Sequence, residues 1–208
     1  MKFQEYFNKV NQGILTVEQI KINTLIDELN SRIDTNRQIH LIGNGGSAAN
    51  CYHIIGDYIK SFTLLNKRIN IKCYSDNSCY ISAAANDLDY SLIYEILIGN
   101  QIQEGDLIIF FSGSGNSLNL IKACLKAKKF NIATTAITGY AGGELGKIVD
   151  NHLYSRIDDM EVCEDIQLML FHYIKQQLIQ KFQFENLNSE DLNNSKRYKK
   201  RTEMGEIA

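Results

Sequence analysis

Four side chains able to move protons or hold a metal fall in two pairs, His53 with Asp57 and Glu164 with His172. His53 and Asp57 stand four residues apart, so on a helix they share a face. Glu164 and His172 are eight apart, about 80° around a helix axis at ~100° per residue, so both could overlook one cleft. An imidazole beside a carboxylate suits general acid–base work once burial or a neighbour tunes the pKa values. Two histidines with two carboxylates could equally make a zinc site that polarises a carbonyl and stabilises an oxyanion. The plainer alternatives are a structurally satisfied His53 and a solvated acidic face at Glu164, which Glu161 and Asp165 flank at a helix start. His40 and His152 take the structural reading.

Two turns could hold an anion: Gly43-Asn44-Gly45-Gly46-Ser47 and Ser112-Gly113-Ser114-Gly115-Asn116-Ser117. Each follows an apolar run and precedes a helical pattern. Unpaired N–H groups and a partial positive charge at a helix start attract phosphate, glycine lets the backbone close on it, and serine adds donors. A lone turn of this kind is also what a tight βα loop looks like; two in the same setting favour a phosphate site. The sequence GNGGSA lacks the GxGxxG spacing of dinucleotide folds, and GxxxxGK[ST] is absent, so a small phosphorylated molecule fits better.

These residues need elements to place them. Residues 3–34 carry apolar side chains at helical spacing and read as one helix. Residues 38–43, 69–74, 106–111, 131–138 and 152–157 read as strands, the run DLIIFF at 106–111 as one buried on both faces. Helical patterns lie between them: from the first Gly/Ser turn to about residue 58 or 59, then 77–86, 90–102 and 117–129. A long amphipathic helix follows at 159–182. The stretch TGYAGGELG at 138–146 reads as a glycine-rich loop. Strands alternating with helices predict an α/β fold, a three-layer αβα sandwich on a parallel sheet. Residues 1–184 are expected to form one domain (helix 3–34, sheet core 38–157, helix 159–182). The stretch 185–208 reads as a polar tail poor in apolar residues.

Composition narrows the classes. At 208 residues with 44% hydrophobic side chains the chain can bury a core without disulfides. Lys and Arg number 22 against 24 Asp and Glu, a balance that argues against extended nucleic-acid binding. The one basic run, Lys196 to Arg201, sits in the tail. No window approaches the roughly 20 apolar residues of a membrane span, and MKFQEYFNKV has no signal-peptide apolar core. Five scattered cysteines without a CxxC pair read as reduced thiols in a cytoplasmic protein. With no proline among the 208 residues, sharp turns fall to Gly, Asn, Asp and Ser.

The chain resembles the sugar-isomerase (SIS) domain proteins and, among them, the phosphoheptose isomerases. The matching pieces are GNGGS at 43–47, the histidine at 53, AND at 85–87, SGNS at 114–117, TGYAGGELG at 138–146, and a late helix bearing His172. The resemblance implies a five-stranded parallel sheet and a homotetramer with active sites between subunits. It also implies interconversion of sedoheptulose 7-phosphate and D-glycero-D-manno-heptose 7-phosphate for bacterial heptose biosynthesis. It assigns Asn44, Gly45, Gly46, Ser47, Ser112, Gly113, Ser114 and Ser117 to substrate binding, with Asn86 and Asp87 as a contacting pair. Asp57 and His172 match the catalytic acid–base pair, and His53, Asp57, Glu164 and His172 match ligands of a zinc ion; Asp57 and Glu164 also match substrate contacts. Three positions depart from the pattern: Asp57 stands for a glutamate, Glu164 for a glutamine, and Gly113 for a residue often bearing a hydroxyl.

Aldose–ketose exchange moves a proton between adjacent carbons through an enediol, so it needs a base, a shuttle between oxygens and enediolate stabilisation. A carboxylate and an imidazole supply the first two. Two other functions fit the same residues: a non-catalytic SIS protein that senses a phosphosugar or serves as a replication-initiation partner, and an isomerase for another ketose phosphate.

Overall fold

The computed structural model describes residues 2–187. Strands β1 (Ile39–Gly43), β2 (Ile71–Cys73), β3 (Leu107–Ser112), β4 (Ala133–Thr138) and β5 (Asn151–Tyr154) form one parallel sheet ordered β2-β1-β3-β4-β5. Side chains alternate across it with period two. Ile39, Leu41, Leu107, Ile109 and Phe111 enter one core with helices α1 (Phe3–Ile14), α2 (Gln19–Asp34), α3 (Gly45–Leu64) and α7 (Met160–Leu187). Ile42, Ile108, Phe110 and Ala136 enter a second with α4 (Ser78–Asp87), α5 (Leu118–Lys129) and α6 (Gly143–Ile148). The result is the expected three-layer α/β sandwich.

From β1 the chain crosses to β2 at one edge, then returns to β3 on the other side of β1. The crevice beyond the carboxyl ends of β1 and β3 is therefore a topological switch point, where open parallel sheets bind ligands. Both Gly/Ser turns open there.

Expectations change at several elements. Helix α3 runs to Leu64 instead of ending near 58 or 59. Strand β2 covers only Ile71–Cys73 of the strand expected over 69–74, and α7 continues to Leu187, into the stretch expected as tail. The helix expected over 3–34 breaks into α1 and α2. At the break, Thr16 Oγ1 donates to Gly13 O at 2.7 Å and accepts the Arg156 N–H at 2.9 Å, so the kink is fixed by a residue 140 positions away. The helix expected over 90–102 is replaced by 3₁₀ turns at Tyr90–Leu92 and Glu95–Leu97 and an Ile98–Ile102 bridge. Gly99, at φ +86°, turns the chain between them. The glycine-rich loop contains α6. The last strand is Asn151–Tyr154 rather than 152–157. Most of the polar tail at 185–208, with its basic run, lies outside the described residues.

Candidate functional site

At the switch point a cleft of about 240 Å³ is floored by Asn44, Gly45, Gly46 and Ser47 on one side and by Ser112, Gly113, Ser114 and Ser117 on the other. Phe111, Met160 and Glu164 close it. The first turn is fixed from below. Tyr94 Oη and Ser75 Oγ each donate to Gly43 O at 2.8 Å. The Asn44 and Asn119 carboxamides exchange two hydrogen bonds of 3.0 and 2.9 Å, tying the start of α3 to the first turn of α5. In the second turn Gly115 N–H donates to Ser112 Oγ at 3.1 Å, and Asn116 N–H to Ser114 Oγ at 3.2 Å.

The two turns are not equivalent. Glu164, on the first turns of α7, sits against Gly46 and accepts the Ser47 N–H, so the start of α3 already carries an anion of the chain's own. Burial pushes the Glu164 pKa up, the Ser47 amide pulls it down, and the charges of Glu161 and Asp165 push it up again, leaving it raised. The start of α5 has no such occupant: Ser117 leads into it with no side-chain cap. Ser117, at the positive end of the α5 dipole, lines the cleft.

The glycine-rich stretch braces the second turn. Gly139 N–H donates to Gly113 O at 2.8 Å, Leu145 N–H to Gly115 O at 3.0 Å, and Glu144 N–H to Asn116 Oδ1 at 3.1 Å. Gly115 (φ +68°), Gly142 (φ +81°) and Gly143 (φ +62°) pack backbone on backbone, so closely that a Cβ on Gly115 would stand 2.7 Å from Gly142 C. Only glycine fits such a contact.

Helices α3 and α7 lie side by side and run the same way, with contacts at a nearly fixed offset: Gly46 against Glu164, His53 against His172, Asp57 against Lys175. His53 Nε2 and His172 Nε2 are 3.0 Å apart. His53, Asp57 and His172 can bring one ligand atom each within 4.8 Å of one another. Burial and the adjacent His53 hold the His172 pKa below the ordinary imidazole value, against the pull of Asp57. Asp57 accepts a hydrogen bond from Lys175, and Lys60 Nζ is 3.4 Å from its other oxygen. Burial alone would raise the Asp57 pKa, but Lys175, then Lys60, outweigh it and hold it low.

The donor set, two imidazole nitrogens and a carboxylate, is one that could hold zinc. Nitrogens bound to one tetrahedral ion at ~2.0–2.1 Å stand roughly 3.3 Å apart, close to the spacing seen here. Glu164 does not join this group. Eight helical residues separate its backbone from that of His172 by about 12 Å along the axis, and its carboxylate lies against Gly46 instead. Asn86 and Asp87 are exposed at the end of α4, bonded to each other at 2.8 Å, and do not line the cleft. Asn119, Met160 and Lys175 were not singled out from sequence. Lys175 carried a usable signal, three residues after His172 and so on its face; Asn119 and Met160 acquire their partners only in the fold.

Residues 2–139 match the SIS domain family model. The phosphoheptose isomerase of Clostridium acetobutylicum is 30% identical over 158 residues, 76% of this chain and 80% of that one. A probable phosphoheptose isomerase of Thermoplasma acidophilum is 28% identical over 182 residues, 88% of this chain and 100% of that one. The solved phosphoheptose isomerase GmhA from Neisseria gonorrhoeae superposes with a TM-score of 0.75 at 20% identity, over 85% of this chain and 94% of that one. The chain belongs to the SIS domain family and, within it, to the phosphoheptose isomerases.

Proposed function

We propose that this isomerase interconverts sedoheptulose 7-phosphate and D-glycero-D-manno-heptose 7-phosphate through an enediolate, feeding heptose synthesis in the cytoplasm. One observation carries the reading: two parallel helices, α3 and α7, each supply a group to a phosphate-sized cleft and a group to a carboxylate–imidazole cluster. The phosphate is bound at the open start of α5 by Ser112, Ser114, Ser117 and turn amides, because Glu164 already fills the start of α3. Gly45 leaves room for the sugar chain, Gly46 admits the Glu164 carboxylate beside it, and Asn44 orients the sugar hydroxyls. Asp57 takes the carbon-bound proton and His172, kept neutral by burial and by His53, moves protons between the two oxygens. Zinc held by His53, Asp57 and His172 would stabilise the negative oxygen of the enediolate.

We take the assembly to be a homotetramer with sites between subunits, each Glu164 staying in its own cleft against Gly46. The exposed apolar side chains Tyr52 and Ile59 on α3 and Met169 and Tyr173 on α7, next to His53 and His172, suit that packing. Asn86 and Asp87, distant from their own cleft, would then serve a neighbouring one. Residues 1–184 act as one domain, both cores sharing one sheet. Among the described residues no helix is long and apolar enough to cross a membrane.

Purified protein incubated with sedoheptulose 7-phosphate, with and without zinc, should yield the aldose by NMR, and Asp57→Asn should abolish turnover with the oligomer intact. No conversion under either condition overturns the reading; preference for a five- or six-carbon ketose phosphate moves it to another sugar.

A further inference from the structure

Lys175 stands beside the His53, Asp57 and His172 group without being one of its donors. Its ammonium donates to Asp57 Oδ2, and the two side chains are only 16% and 12% exposed. The other Asp57 oxygen faces Lys60 Nζ at 3.4 Å. Both oxygens of the only carboxylate among the three donors are thus already facing cations. A divalent ion on His53 and His172 needs a lone pair from that carboxylate, and it would stand next to the Lys175 ammonium if the pair persisted. Two cations competing for one half-buried carboxylate repel each other strongly where water screens little. Lysine, with a flexible four-carbon stem and a single point charge, can swing away and return. Lys60 cannot take its place: its side chain is 68% exposed, so water screens its charge.

We propose that Lys175 is a gate on this metal site: its ammonium and a divalent ion compete for Asp57, so Lys175 weakens metal binding and is released from Asp57 when the ion enters. This rests on the reading of His53, Asp57 and His172 as metal ligands. Lys175 is the resident cation of the metal-free protein, preventing Asp57 from standing as an unpaired half-buried charge, and zinc occupancy follows the zinc supply instead of being permanent.

The test is a zinc titration of the full chain against a chromophoric chelator, for wild type, Lys175→Met and Lys175→Arg. Methionine keeps the apolar stem and removes the charge; arginine keeps the charge. The expected result is zinc held at least tenfold more tightly by Lys175→Met and unchanged within about threefold by Lys175→Arg. Equal or weaker binding by a folded Lys175→Met overturns the gate and leaves the metal site standing. No zinc bound by any folded variant overturns both. If Lys175→Met fails to fold, acetylation of wild-type lysines read by mass spectrometry decides: zinc should raise labelling of Lys175 relative to Lys147, and no change overturns the proposal.

Discussion

The Glu164 carboxylate occupies the space that the Cβ of residue 46 would fill. Gly46 therefore makes room for a carboxylate at the start of α3, which leaves the start of α5 as the proposed phosphate turn. Gly46→Ala would push the flexible end of Glu164 aside rather than shift backbone, and alanine is the better helix former by about 1 kcal/mol. We expect thermal stability unchanged or slightly raised, with kcat/KM for the phosphosugar reduced about tenfold, ~1.4 kcal/mol of transition-state binding. Calorimetry beside steady-state kinetics checks both; a stable variant with full activity would remove Glu164 from the site.

A similar exchange explains Gly113. Its missing side chain is replaced by Met160, whose Sδ and Cε would overlap a Cβ placed there. Gly113→Ser alone should raise KM for the phosphosugar about three- to tenfold, because the thioether must be displaced into the cleft. Adding Met160→Ala should restore KM, since the two positions are in contact and their effects do not add. Strictly additive losses in the double-mutant cycle would mean that the two residues act separately.

How much of this could be read from the sequence follows from where each partner lies. β1 and β3 were legible because short apolar runs ending in Gly or Ser are what a buried parallel strand before a ligand turn requires. His53 and Asp57 were legible because four residues is a local, helical distance. The angle between Glu164 and His172 is also local, but the same helix that sets about 80° between them sets about 12 Å of rise, which the angle alone does not reveal. The break after Ile14 was illegible because its cause, the Arg156 amide, is remote in sequence. Met160 and Asn119 were illegible for the same reason: a methionine facing Gly113 and an amide facing Asn44 are ordinary residues until the fold pairs them.

Glycines 45 and 115 share a left-handed backbone, at φ +54° and +68°, and differ in their surroundings. Nothing lies within 4 Å of a Cβ on Gly45, whereas one on Gly115 meets the Gly142 and Gly143 backbone. Gly45→Ala should cost only the conformational term, about 1–2 kcal/mol. Gly115→Ala should cost more, about 3 kcal/mol or above, because rigid backbone must separate as well. It should also weaken phosphate binding, since the brace holds the Ser112–Ser117 turn. Denaturant melts with inorganic phosphate as a competitive inhibitor test this, and equal losses at the two positions would refute the brace.

His40 and Asp106 make the stability of the sheet depend on pH. The fully buried His40 ring bonds through Nε2 to Asp106 Oδ2 at 2.9 Å, and its Nδ1 has no partner. Burial outweighs the attraction of Asp106 and holds the His40 pKa below its ordinary value, so the ring is neutral. Burial would raise the Asp106 pKa, but the bonds from His40 and the Gln103 and Gln38 amides overcome it and hold that pKa low. Both shifts make the unfolded chain bind more protons, so stability is lost as pH falls, in two separate windows. The His40 contribution is complete above the unfolded imidazole value of about 6.5 and is lost below it. The Asp106 contribution persists down to the unfolded carboxyl value of about 3.9 and is lost as pH falls through its lower folded value. Between pH 7 and 5 the melting temperature should fall, and His40→Gln, which keeps a donor for Asp106 and cannot ionise, should lower stability at pH 7 yet flatten that slope. His152 and His172, also held low by burial, leave a residual slope. A slope unaltered by the substitution would show that His40 is not the group being protonated.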